Sequence, residues 1–260
     1  ETMNTPTDSP VQDDTADRLI EALNQDGFVL YQQSIQPLRP GAHAESYQEI
    51  LIRFKEEEEK LLPPGTFIPV LESSHLMHIL DRWVLNRVIK WIHGRRKSDP
   101  LWNAPCSSIN LSNDSLTSPD FAGFVKQQLH KGRVSGRKFA FEVAEEDGHC
   151  HLDALSAAAT ALKAEGCGVT LTSYTGTLIP PTQLESIGID SVKLDIDIVT
   201  TLHNSAQSQE RAAALQEQCA SYGVRTIAEF VERPTTLERL KKLGVDYAQG
   251  YGIQMTAALV

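Results

Sequence analysis

The sequence predicts an α/β protein folded as a closed (β/α)8, TIM-like barrel with one antiparallel strand near its start. Three observations predict it. Eight strand-like runs can be counted, and from Cys106 onward they alternate with helical patterns. Strands separated by helices pair in parallel through right-handed crossovers, and eight of them close a barrel. The first two runs are joined without a helix, which makes that pair antiparallel. An open doubly wound sheet would need a glycine-rich phosphate loop after its first strand, and Gln33–Leu38 offers none.

Residues 1–14 are polar, carry Pro6 and Pro10 and lack an apolar period, so they read as a linker or tail, with the barrel occupying 15–260. Leu19, Ile20 and Leu23 recur at helical spacing within Thr15–Asp26, ahead of Gly27. Phe28–Gln36 is a β-branched and aromatic strand, and Ser46–Phe54 is the strand on which the domain is organised. Ile50, Leu51 and Ile52 hold that second strand in a core. Glu49 and Arg53 on it are costly unless they serve each other or a ligand. Lys55–Leu62, with four consecutive acids, reads as a solvated turn broken by Pro63, Pro64 and Gly65. Phe67–Ser73 and Leu76–Ile92 are helical, the second with an apolar stripe of Leu76, Leu80, Val84, Val88 and Trp91.

The remaining strands are Cys106–Ser112, Lys138–Glu145, Val169–Thr175, Ser191–Asp197, Val224–Val231 and a short Tyr247–Tyr251. Between them lie helices at Pro119–His130, Leu152–Glu165, Thr182–Ile187, Ser205–Tyr222 and Thr235–Leu243. Gly168, Gly188, Gly223 and Gly244 stand where helices would end.

A formal net charge of −10 argues against general binding to a nucleic-acid polymer or an anionic membrane, while leaving room for a small anion held by local Arg and Lys. Cys106, Cys150, Cys167 and Cys219 are scattered without metal-knuckle or CxxC spacing, as expected of reduced thiols in a cytoplasmic protein. No apolar run approaches membrane-spanning length and no signal peptide is visible. The chain starts at Glu1 without Met, which suggests a segment of a longer protein.

In a barrel the strand C-termini share one mouth, where active sites form. Near those ends lie Gln33, Glu49, Arg53, Asn110, Glu142, Glu145, Lys193, Asp195, Glu229, Glu232 and Gln249. Each has a plainer reading: Asn110 capping a turn, Lys193 pairing with Asp195, Glu232 opening a helix. Together, Glu49, Asn110, Glu142 and Glu229 form an oxygen-donor set suited to Mg²⁺, Mn²⁺ or Ca²⁺. Arg53 suits two-pronged phosphate binding, and Lys193 suits it as a point charge.

At these positions the chain resembles the EAL domains, which bind and hydrolyse cyclic di-GMP, over about Ala16–Ala257. Gln33 lies at the family's Tyr-Gln-Pro, and Glu49-Ile50-Leu51 at its Glu-Ala-Leu, followed by Arg53. Phe67–Glu72 and Asp81–Leu85 match two further segments. Asn110-Leu111-Ser112, Glu142–Glu145, Lys193-Leu194-Asp195, Ala228–Glu232 and Gln249-Gly250-Tyr251 complete the set in order. The resemblance implies a two-metal phosphodiesterase giving linear pGpG, with metal held by Glu49, Asn110, Glu142 and Glu229. It also implies a water oriented by Lys193, a ligand phosphate gripped by Arg53, and a guanine edge met by Asp81.

One departure is decisive. Where active members carry Asp-Asp-Phe-Gly-Thr-Gly, this chain has Thr172-Ser173-Tyr174-Thr175-Gly176-Thr177, and a neutral hydroxyl is a far weaker ligand than a carboxylate. The following Leu178-Ile179-Pro180-Pro181 also departs from the loop that in the family couples dimerisation to catalysis. Gln33, Leu51, Arg53, Asp81, Glu232 and Gln249, the ligand-gripping positions, persist, and Phe230 replaces a Gly where it can stack on a guanine or fill the mouth.

The pattern resembles the degenerate, FimX-like receptor branch of the family. The leading expectation is therefore a receptor that binds cyclic di-GMP without efficient hydrolysis, needs no cofactor to do so, and signals to a downstream protein partner, with a homodimer in scope. The alternatives are a weak Mg- or Mn-dependent phosphodiesterase using Glu145 or Asp195 in place of the missing ligands, and a ligand-free interaction scaffold.

Overall fold

The computed structural model describes residues 10–39, 46–55 and 61–260. In chain order the elements are α1 (Pro10–Asn24), β1 (Phe28–Pro37), β2 (Tyr47–Lys55), β3 (Leu61–Leu62), α2 (Ile68–Ser73) and α3 (Met77–Ser98). Then follow β4 (Cys106–Asn110), α4 (Asn113–Leu116), α5 (Phe121–Gly132), β5 (Phe139–Ala144), α6 (Glu145–Cys150), α7 (Leu152–Ala164) and β6 (Gly168–Tyr174). The chain ends with α8 (Pro181–Ile187), β7 (Ser191–Leu194), α9 (Ile196–Thr201), α10 (Ala206–Ser221), β8 (Arg225–Ala228), α11 (Pro234–Leu243), β9 (Tyr247–Ala248) and β10 (Ala257–Ala258).

Strands β2, β4, β5, β6, β7, β8 and β9 pair in parallel. β1 closes the barrel by running antiparallel to β2 on one edge and to β9 on the other. The predicted barrel and its single antiparallel strand are therefore present. β10 adds to the first half of β1, and β3 to the end of β2.

The helices cover the barrel because each offers it an apolar stripe. In α3 the stripe Leu80, Val84 and Val88 is buried, and Trp91 is half-buried beside it. Phe28, Phe54 and Phe67 stack near the barrel's first hairpin at 5.0 and 5.2 Å between ring centroids, and Trp83 donates its indole N–H to Leu23 O at 2.9 Å.

Several boundaries differ from expectation. α1 begins at Pro10, inside the stretch read as tail. All six strands predicted from Cys106 onward run past their observed ends, because the chain turns away as soon as it clears the mouth. Ser112 caps α4 by accepting from Ser115 N, Asp195 caps α9 by accepting from Asp197 N, and Glu145 opens α6. β8 ends at Ala228, two residues before Phe230, which has a left-handed φ of 55°. Gly188 and Gly244 end α8 and α11 with φ of 96° and 80°, whereas Gly168 opens β6 instead. The acidic run Glu56–Glu59 lies outside the described residues. Among the described residues, no helix is long and apolar enough to cross a membrane, and all four cysteines are free.

Candidate functional site

Side chains alternate along a strand, so every second residue of a barrel strand points inward. On β7 this places Lys193 at the barrel axis, 0% exposed. Its ammonium meets three carboxylates, two on strands and one just past β8: Glu142 Oε1 and Oε2 at 2.7 and 2.8 Å, Glu229 Oε1 at 3.0 Å and Glu49 Oε2 at 3.1 Å. Ser108, two residues before Asn110 on β4, donates its hydroxyl to Glu142 Oε1. Asn110 itself donates to Glu49 Oε1 at 3.3 Å. The sequence-predicted donors Glu49, Asn110, Glu142 and Glu229 are thus brought together around Lys193. The plainer Lys193–Asp195 pair is not formed, because Asp195 turns to cap α9.

Toward the solvent side, Gln249 donates from Nε2 to Glu49 Oε2 at 2.6 Å and to Gln33 Oε1 at 3.0 Å, and Gln33 donates to Gln254 O at 2.9 Å. Gly250 makes this arrangement possible. A Cβ there would stand 2.3 Å from Val231 N, and its φ of 152° lies in the region that favours glycine. The close approach sets Gln249 and Tyr251 beside Phe230 and Glu232. Together with Gln33, Glu49, Leu51 and Glu229 they line a cavity of about 220 Å³. Phe230 and Tyr251 present exposed rings to it. Gln249 is only 3% exposed, yet its Oε1 has no hydrogen-bond partner among the described residues.

Burial raises the pKa of Glu142 to about 7, with the Glu49 and Glu229 charges adding to the rise and Lys193 opposing it. Glu229 is also raised, chiefly by burial against the pull of Lys193. Glu49 moves down: burial would push it up, but Lys193 and the hydrogen bond from Gln249 outweigh that. Lys193 is held well above the usual lysine range, since the three carboxylates overcome its own burial.

The end of β6 supplies no carboxylate. Thr172 pairs in register with Ala144, and Ser173 follows in a left-handed conformation with φ of 50°. Neighbouring acids do not fill the gap. Glu145 is buried and accepts from Thr175 N and Oγ1, both at 2.8 Å, from Ile179 N at 3.1 Å and from Leu178 N at 3.2 Å, so both its oxygens hold the loop after β6. Among the described residues, no group of three or more His, Cys, Asp and Glu side chains is arranged to hold a metal ion. The donors present do not fit a pair of hard divalent cations, which need several charged oxygens each.

Four residues expected to bind the ligand do not line the cavity: Asn110 and Glu142 stay in the Lys193 cluster, and Arg53 and Asp81 stand apart. Arg53 shares a face of β2 with Glu49 and Leu51, rests 5.8 Å over the Tyr31 ring and donates to Ile52 O at 2.8 Å. Glu49 is therefore not its partner. Asp81 is 5% exposed, and its Oδ2 accepts from Ser112 Oγ at 2.6 Å and Ser112 N at 3.1 Å, steadying the cap of α4.

Burial raises Asp81 to about 6 against those bonds. A carboxyl whose folded pKa is raised contributes stability that is complete below its unfolded value and is lost as pH rises through the folded one. Relative to Asp81→Asn, the wild type should lose up to about 3 kcal/mol between pH 4 and pH 7 in urea unfolding. Parallel pH profiles for the two proteins would remove this account of Asp81.

Ser108 and Tyr251 were not among the sequence candidates. The i, i+2 spacing of Ser108 and Asn110 was the available signal for the first, and adjacency to Gln249-Gly250 for the second.

The family described as "EAL domain" matches residues 16–256. The cyclic di-GMP phosphodiesterase PdeB of Shewanella oneidensis is 28% identical over 241 residues, covering 91% of this chain and 27% of that protein. The cyclic di-GMP phosphodiesterase PdeF of Escherichia coli is 26% identical over 243 residues, covering 94% and 32%. The chain spans about a quarter to a third of the length of these curated relatives. Among solved structures, the FimX EAL domain from Pseudomonas aeruginosa bound to c-di-GMP shares the fold with a TM-score of 0.85 at 24% identity, covering 95% of this chain and 97% of that one.

Proposed function

The chain belongs to the EAL-domain family, and from that premise we propose that it is a receptor that binds cyclic di-GMP without hydrolysing it efficiently. The observation that carries this reading is the end of β6, the strand between β5 and β7, where Thr172 and Ser173 stand and neither is a carboxylate. The relatives PdeB and PdeF are named cyclic di-GMP phosphodiesterases and the FimX EAL domain was solved with c-di-GMP bound, which supports the same ligand for this chain.

Binding itself is supported by the cavity. A buried acceptor without a partner costs about 1–3 kcal/mol, and a guanine supplies the N–H donors that Gln249 Oε1 lacks. Phe230 and Tyr251 offer faces for stacking, Leu51 an apolar wall, and Glu232 a further acceptor. Arg53, further along the face of β2 that carries Glu49 and Leu51, is the group to swing from Tyr31 onto a phosphate. In this reading Asp81 reaches the ligand only by releasing Ser112.

A weak phosphodiesterase rebuilt on Glu145 or Asp195 is disfavoured, since Glu145 is used by four donors and Asp195 caps α9. A ligand-free scaffold leaves Gln249 Oε1 unexplained. In the same proposal no divalent cation is required for binding, and Mg²⁺ or Mn²⁺ matters only to residual turnover at Glu49, Lys193 and Glu229. The domain works in the cytoplasm, and a downstream protein reads the occupied state. Titration with cyclic di-GMP, with the nucleotide recovered and assayed for pGpG, tests both halves. Binding with intact nucleotide is expected, and rapid conversion or no binding contradicts the proposal.

A further inference from the structure

We propose that the opposite end of the barrel holds a second ligand site, for a small organic carboxylate with a body about the size of one ring. The first residues of the strands converge there on a partly open cavity of about 150 Å³. It lies at the strand N-termini, away from the cyclic di-GMP mouth, and stands independently of that reading. Its walls include Ile35, Phe139, Ile227 and Tyr247, and a cavity of this size has room for a body as large as benzene.

The charge in the cavity is unbalanced. Arg137 and Arg225 both line it, and neither makes an ion pair among the described residues. Arg225 is half-buried, and Nη1 donates to the Tyr47 hydroxyl at 2.7 Å with the guanidinium 5.4 Å over the Tyr47 ring. Tyr247 takes a further bond from it, and the remaining N–H donors are left for something else. The carboxylate at the wall, Asp190, is already engaged by Lys163 Nζ at 2.8 Å and Val169 N at 2.9 Å.

The hydroxyls are committed too. Ser108 donates to Glu142, and Thr170 and Ser191 bond each other at 2.7 Å. What the cavity holds without a carboxylate partner is thus the half-buried guanidinium of Arg225, with the exposed Arg137 at its edge, in a chain whose net charge is −10. The floor of such a barrel ordinarily serves stability, and a half-buried cation without a counter-ion does not. A planar carboxylate matches the fork of a guanidinium, and a ring-sized body fills the apolar remainder.

The probe is para-fluorobenzoate followed by ¹⁹F NMR line broadening on the wild-type chain, with neutral para-fluorobenzyl alcohol as the comparison. Saturable broadening at millimolar benzoate is expected, with little from the alcohol. Arg225→Gln should abolish it, and Arg137→Ala should weaken it about tenfold. Arg137 has an exposed side chain, so its variant keeps the test valid if Arg225→Gln fails to fold by circular dichroism. Absence of broadening in the wild type, equal broadening by the alcohol, or affinity unchanged in Arg137→Ala would each overturn the proposal.

Discussion

Replacing Lys193 with Met should remove about 3–5 kcal/mol of folding stability at pH 8, more than any other single change on the barrel axis. The ammonium is 0% exposed and lies within 3.1 Å of Glu49, Glu142 and Glu229. Methionine has similar length, so packing is largely conserved and the loss reports charge. Without Lys193, three buried carboxylates face one another uncompensated. For a domain whose whole stability is of the order of 5–15 kcal/mol, that loss is a large fraction.

The pH dependence distinguishes this from a cavity effect. Burial already holds Glu142 near 7 and raises Glu229. Once the ammonium is gone, all three carboxyls should take up protons more readily in the folded state. The variant should then recover stability as pH falls from 8 toward 5, while a packing defect would persist unchanged. Urea unfolding at the two pH values measures it. A difference from wild type below about 1 kcal/mol at pH 8 would mean that the cluster is not held by Lys193.

The second large effect is a gain. Changing Thr172 and Ser173 together to Asp should raise Mg²⁺- or Mn²⁺-dependent formation of pGpG from cyclic di-GMP at least about 100-fold above wild type, which corresponds to some 2.7 kcal/mol of barrier. The end of β6 is the position left without a carboxylate, and hard divalent ions are held by charged oxygen donors. Backbone conformation does not oppose the change. Ser173 has a φ of 50°, and aspartate is among the residues that tolerate the left-handed region. Calorimetric binding of Mn²⁺ to the variant should accompany the activity. If the wild type already turns over as fast as the double variant, Thr172 and Ser173 do not explain a receptor.

The barrel was legible in the order of its strand-like runs, and the antiparallel start in the missing helix between Phe28–Gln36 and Ser46–Phe54. Helices α4, α6 and α9, of four to six residues, were not, because each follows a strand within two residues and was read as that strand's continuation or as loop. In the candidate site, the convergence of Glu49, Asn110, Glu142 and Glu229 could be anticipated from their places near strand ends. That one lysine serves three glutamates could not, since it depends on the register of β2, β5, β7 and β8 around a closed barrel, and no single strand carries that information. The role of Glu145 in holding Thr175, Leu178 and Ile179 was hidden likewise, for its partners lie 30 to 34 residues away. Asp81 shows the reverse: its place on a helix was read correctly, but the partner it meets, Ser112, belongs to a cap that pattern alone did not reveal.

The most direct measurement is a calorimetric titration of this chain with cyclic di-GMP in EDTA, with the bound nucleotide recovered afterwards and examined for pGpG. Saturable binding without divalent cation and with the nucleotide intact is the predicted result. Absence of binding in EDTA, or rapid conversion to pGpG once Mg²⁺ or Mn²⁺ is supplied, would contradict a receptor that holds its ligand through Gln33, Gln249 and Phe230 without cleaving it efficiently.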